Sequence, residues 1–328
     1  MPWTVAGLTR DQADEIVQDA GRPIYGGTPT DQAVIEAIQA LNDAGKQVMY
    51  YPFILMDQFD GNMLPDPYSD APSQPNLPWR GRITLSEVPG RPGSPDRTAG
   101  ADDQVTAFFG TARASDFTVS SEGVGYSGPE EWRFDRFILH NAALCAAAGG
   151  VEAFCIGSEM RGLTQIRGAG DVFVAVARLR ALAAEVRAIL GPNVKISCAA
   201  DWSEYFGYVP QDASGDRYFH LDPLWADANI DFIGIDNYMP LSDWRDDEGH
   251  LDGQLWDGIY VLEYLKSNVA GGEGYDWYYH APEARAAQIR TEITDGDHSE
   301  PWVYRYKDLK NWWRIPHHER IGGQRQAS

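Results

Sequence analysis

Four stretches of the chain alternate an amphipathic helical pattern with a short apolar run that ends in an acidic or aromatic residue. In the first, Val34, Ile35, Ile38 and Leu41 recur at helical spacing until Gly45, and Thr28-Pro29-Thr30-Asp31 supplies a start signal with Thr28 as N-cap and Pro29 at the first helical position. A β-rich run from Lys46 follows and ends in Tyr51 and Asp57; Pro52 does not suit a central strand, so the regular part ends near Tyr51. In the second, Ser127 and Glu130 have capping-box spacing, and Trp132, Phe137, Ile138, Leu144 and Cys145 give a broad apolar face that stops at Gly149-Gly150. The strand pattern Val151 to Ile156 comes next, then the turn Gly157-Ser158-Glu159. In the third, Val172, Val176, Leu179, Leu182, Val186 and Leu190 repeat at helical spacing, Gly191-Pro192 ends the helix, and Val194 to Ala199 leads to Asp201, Trp202 and Glu204. The fourth strand pattern, Ile230 to Asp236, ends in Asp236, Asn237 and Tyr238.

Repeated βα units of this kind predict an α/β fold with strands near residues 47–52, 151–156, 194–199 and 230–236 parallel and adjacent, and helices packed outside. A (β/α)₈ barrel-like arrangement fits better than a doubly wound sheet, because no Gly-rich phosphate loop follows any strand. Between about residues 58 and 128 the pattern breaks. Leu64-Pro65-Asp66-Pro67 and Pro89-Gly90-Arg91-Pro92-Gly93-Ser94-Pro95 mark a Pro/Gly-rich insertion within a single domain spanning 1–328, with a hairpin expected around Arg80 to Leu85. Since it leaves the carboxyl end of a strand, it belongs on the face that carries Glu159. There it forms either a cleft wall or a surface for protein contacts.

The 328 residues carry a formal charge of −21, which opposes direct binding to nucleic-acid phosphates. Eleven Trp and sixteen Tyr offer apolar bodies with polar handles, suited to cores and to concave ligand sites alike. The three cysteines lie in apolar patterns without paired spacing, which predicts buried free thiols. The histidines show no ligand spacing, so neither metal nor cofactor is expected, and no apolar run reaches membrane-spanning length. The N-terminus lacks a basic region followed by an apolar core, so no cleaved signal is expected and the chain is made in the cytoplasm.

Acids at the carboxyl ends of parallel strands face the reactive side of such folds, which makes Glu159 the leading candidate for chemistry. The plainer alternative is an ion pair with Arg161 or a cap on the following turn. Tyr51, Trp202 and Tyr238 at the other strand mouths suit either sugar stacking or core packing.

The stretches Tyr51-Pro52-Phe53-Ile54-Leu55-Met56-Asp57, Cys155-Ile156-Gly157-Ser158-Glu159-Met160-Arg161-Gly162, Ala200-Asp201-Trp202-Ser203-Glu204-Tyr205 and Phe232-Ile233-Gly234-Ile235-Asp236-Asn237-Tyr238 resemble the TIM-barrel-like domain of the hub, or host-interaction, protein of gene transfer agents and related phage tails. That domain is in turn similar to retaining glycoside hydrolases of the large (β/α)₈ clan, whose acid/base Glu ends strand four; Glu159 matches that position. The resemblance implies a saccharide cleft lined by Tyr51, Asp57, Asp201, Trp202, Glu204, Asp236, Asn237 and Tyr238. It also implies cell-envelope polysaccharide and other tail or baseplate proteins as partners, and a place in a phage-like particle tail. By its register the chain holds about strands three to six of the barrel, and the nucleophile Glu that follows strand seven in those enzymes is missing. Two functions follow as expectations: a glycoside hydrolase-like module, or a tail-hub scaffold without catalysis.

Overall fold

In the computed structural model the described residues are 29–56, 58–120, 123–246 and 249–327, together with the backbone of 18–19 and 22–23. The chain divides into two compact units. The first comprises Met1–Asp201, Pro210–Asp212 and His220–Ile235, and the second Trp202–Val209, Ala213–Phe219 and Asp236–Ser328.

The expected strands form. A four-stranded sheet runs in the order Met49–Tyr50, Ala153–Ser158, Lys195–Asp201, Gly234–Asp236, which are its first to fourth strands below. The first and second pair in parallel, with Tyr50 opposite Phe154, and the second and third pair in parallel, with Phe154 opposite Ile196. On the third strand's other side, Asp231 donates its N–H to the Ile196 carbonyl while Trp202 donates to Asp236, so the two segments advance together. The fold is mixed α/β with a parallel sheet, and among the described residues the sheet is open rather than a closed barrel.

Helices Phe134–Ala147 and Val174–Leu190 cover the sheet of the first unit, burying Ile138, Leu139, Leu144, Leu179 and Val186 beside Phe154 and Ile196. Gly191 ends the second of these with φ 80°, a conformation that glycine adopts without penalty. Cys145, Cys155 and Cys198 are buried and outside any disulfide, as their apolar settings predict.

Four local expectations are corrected. The first helix is Asp31–Asp43, and its N-cap is Thr30, whose hydroxyl accepts the Ala33 N–H at 3.2 Å; the start therefore lies two residues beyond the Thr28 cap, a residue outside those described. Ser127 caps nothing: Arg133 precedes Phe134–Ala147, and Ser127 donates its N–H to Asp116 instead. The nearby Glu131 explains this, because its carboxylate accepts the N–H groups of Thr111 and Ala112 and ties the segment across to another helix end. That helix, Ala99–Phe109, lies within the insertion, where turns and a hairpin but no helix were expected. The hairpin of the insertion pairs Phe117–Ser120 with Gly123–Tyr126, whereas Arg80–Arg82 is a single 3₁₀ turn.

Candidate functional site

A bulge aims the end of the second strand. Tyr50 stacks on Phe154 and donates its hydroxyl to Asn141 of the covering helix, so Tyr50, Phe154 and Ile196 face the helices, and Cys155 and Ser197 face the other way. Strict alternation would then turn Ser158, three residues on, toward the helices. Instead the ladder slips between Cys155 and Ser158, three residues on one strand matching two on the other, and Ser158 pairs with Ala199. The extra residue returns Ser158 to the helix-free face, where Tyr51 and, by alternation from Ala199, Asp201 also project.

Glu159 comes immediately after the bulge and takes φ 48°, a left-handed conformation uncommon for a residue with a Cβ. Its N–H continues the ladder to the Ala199 carbonyl at 2.8 Å, and the residue is only 7% exposed. A carboxylate at that depth requires compensation. The insertion provides it: an Arg80 guanidinium nitrogen lies 2.7 Å from Oε2, and Trp79 Nε1 donates to the same oxygen at 2.8 Å. Oε1 accepts no hydrogen bond from the described residues. Arg80 also donates to the Ser158 carbonyl at 3.1 Å and to Ser158 Oγ at 2.8 Å, and Tyr51 donates to that Oγ at 2.8 Å. The guanidinium sits 4.7 Å over the Phe53 ring, a cation–π contact that strengthens as water is excluded.

The 3₁₀ turn carrying Arg80 can approach the short helix Arg161–Thr164 because position 162 is glycine. A Cβ there would lie 2.8 Å from the backbone oxygens of both Gly81 and Ile83, too close for either to remain in place. The turn is braced from its other side by Arg82, which pairs with Asp66 at 2.8 Å and lies over the Tyr68 ring. Ser69, the Tyr68 N–H and Arg82 all favour the ionised Asp66 carboxylate and hold it below its usual range, against the opposing effect of burial.

Of the residues that the sequence offered, Tyr51, Glu159 and Asp201 fall within the first unit. Asp201 is buried at the end of the third strand, beside the strand that delivers Glu159. Asp57 lies outside the described residues. The others fall in the second unit. There Trp202 sets its ring edge-on to Tyr306 at 4.7 Å, and Glu204 is buried. Asp236 closes the fourth strand, Asn237 accepts the Met239 N–H in a local turn, and Tyr238 is 72% exposed. The ion-pair partner of Glu159 is Arg80 rather than Arg161, which is exposed.

Sequence reasoning missed Trp79, Arg80 and Phe53. The available signal was Trp79-Arg80-Gly81-Arg82, an aromatic and two cations around a glycine inside a stretch rich in prolines. Among the described residues no three His, Cys, Asp or Glu side chains cluster as metal ligands, and no helix is long and apolar enough to cross a membrane.

A search of curated proteins returns no match. The model of one family, the GTA TIM-barrel-like domain, matches residues 132–328, a span that holds the second, third and fourth strands with Glu159, while Tyr51, Trp79 and Arg80 precede it. The sheet and the matched span together place this chain in the family of gene transfer agent TIM-barrel-like domains.

Proposed function

We propose that this chain is a glycoside hydrolase-like module of a gene transfer agent or phage-tail hub, which engages cell-envelope polysaccharide at the carboxyl end of its central strands. The observation that carries the reading is the Glu159 carboxylate: buried, at the carboxyl end of a parallel strand, held in a left-handed backbone conformation, and fixed by two donors on one oxygen. Unusual backbone geometry at a strand mouth is where functional strain concentrates. With Oε2 committed to Arg80 and Trp79, Oε1, which accepts no hydrogen bond from the described residues, is the oxygen left to exchange a proton with a glycosidic oxygen.

Cleavage of a glycosidic bond needs a second carboxyl, roughly 5–5.5 Å away for retention or about 6.5–9.5 Å for inversion. Asp201 is the partner best placed within the same unit. It follows Ala199, the residue opposite Ser158, by two positions on the neighbouring strand, and strands lie about 4.8 Å apart.

A second reading, a tail-hub scaffold without catalysis, is favoured by the same ion pair: a carboxylate already satisfied by a cation and an indole N–H also serves a purely structural end. The test is release of reducing ends from a panel of envelope polysaccharides by the wild-type chain beside Glu159→Gln. Slow release by the wild type and none by the variant supports the first reading, and equal rates, or no binding and no release from either, leave the scaffold.

A further inference from the structure

Trp79 and Phe53 combine exposure with fixation. Trp79 is 39% and Phe53 46% exposed, yet neither ring hangs freely in solvent. A Cβ placed on Gly81 would lie 2.3–2.4 Å from the six-membered ring of Trp79, so the indole rests directly on the Gly81 backbone, and the hydrogen bond from Nε1 to Glu159 fixes its rotation. Phe53 has the Arg80 guanidinium on one face at 4.7 Å and Tyr51 beside it at 6.1 Å. Each ring is therefore backed by protein, and the two are joined through Arg80 and Glu159.

We infer that Trp79 and Phe53 form a preorganised stacking subsite for an uncharged sugar ring beside Glu159, with Trp79 as the specificity-determining residue supplied by the insertion. This rests on the saccharide reading above and adds its substrate class. The C–H faces of a pyranose match the apolar face of an indole, and a ring already immobilised loses little freedom when the sugar binds. The charge balance argues for a neutral sugar: the cation at the subsite among the described residues, Arg80, already pairs with Glu159, and the chain's −21 charge repels a polyanion. The same excess of negative charge disfavours a nucleic-acid base as the stacking partner.

The test titrates the full chain with β-1,4-linked hexasaccharides of glucose, mannose and N-acetylglucosamine, and with a β-1,4-linked hexauronate. Affinity is read by calorimetry, and contact by the indole N–H resonance of Trp79, assigned through its loss in Trp79→Phe. We expect a neutral hexasaccharide to shift that resonance and to bind more tightly than the hexauronate. Trp79→Ala should weaken binding about tenfold, Trp79→Phe, which keeps a ring, should weaken it less, and Tyr260→Ala, at an exposed aromatic of the second unit, should leave it unchanged. A neutral sugar that binds without moving the Trp79 resonance, and equally well to Trp79→Ala, overturns the subsite while sparing the saccharide reading. Preference for the hexauronate overturns the substrate class. Binding to none of the four overturns both the subsite and the reading beneath it.

Discussion

The ends of the second and fourth strands look alike in sequence, an apolar run closing on an acid, and they differ in almost every physical respect. Glu159 is buried, bulged into position and held by a guanidinium and an indole that arrive from 80 residues earlier in the chain. The residues following Asp236 stay local: Asn237 satisfies a neighbouring N–H, and Tyr238 projects into solvent. An acid at a strand mouth is thus a necessary sign of a site but not a sufficient one. What separates the two ends is the insertion, which converts one of them into a compensated, dry environment where an electrostatic interaction is strong.

Two buried charges, one in each unit, are compensated differently. In the first, Glu159 meets a cation. In the second, the buried Lys307 ammonium donates to the carbonyls of Asn268 and Gly271, just past the helix Leu262–Ser267, where orphan carbonyls favour a donor. Burial outweighs the nearby Glu273 and Asp276 there and pushes Lys307 down to about 8.

The largest expected effect tests the functional difference between the strand ends: Glu159→Gln lowers any glycan turnover by about 10²–10⁴-fold, the usual contribution of a positioned acid or base, whereas Asn237→Ala leaves it within a factor of two or so by the same steady-state assay. Next comes stability. Arg80→Met strands the Glu159 carboxylate in its buried setting and should cost about 3–5 kcal/mol in urea unfolding. Gly162→Ala drives the 3₁₀ turn off its helix and should cost about 1–3 kcal/mol by overpacking. A loss below about 0.5 kcal/mol would mean that the turn does not bear on this site.

The Lys307 comparison is tested by pH. The folded state holds this proton less tightly than the unfolded chain, whose lysines titrate near 10.4. The cost of burying the charge is therefore fully present below pH 8 and is relieved as pH rises, with a slope of at most about 1.4 kcal/mol per pH unit. Above pH 10 the buried Tyr205 and the half-buried Tyr306 oppose the gain, since burial raises their phenols and the unfolded chain ionises first. Urea midpoints at pH 8 and 9.5 should rise in the wild type relative to Lys307→Met; parallel curves would remove Lys307 from the account. The smallest effect belongs to the fourth strand's mouth, where Tyr238→Ala should change stability by less than about 0.5 kcal/mol.

The parallel sheet was legible because each βα unit is encoded locally: periodicity in the helix from Val174 to Leu190, a stop at Gly191, then an apolar run. The position of Glu159 at the carboxyl end of its strand was legible for the same reason. The bulge was not, since a slip between Cys155 and Ser158 depends on pairing with Ala199 and leaves no mark on hydrophobic alternation. Trp79 and Arg80 were missed because their partners are fixed by packing through Gly162 and Gly81, which no local pattern announces. The helix caps slipped where two signals competed: Thr30 won over Thr28, and the contacts of Glu131 with Thr111 and Ala112 overrode the Ser127 box.

The central claim is that the insertion and the second strand's end form one charge-compensated site, and a double-mutant cycle over Arg80→Met and Glu159→Gln in urea unfolding tests it most directly. The account predicts that Glu159→Gln recovers most of the loss caused by Arg80→Met, with a coupling of about 2–4 kcal/mol. Losses that add to within about 0.5 kcal/mol would contradict it, because independent sites behave in that way.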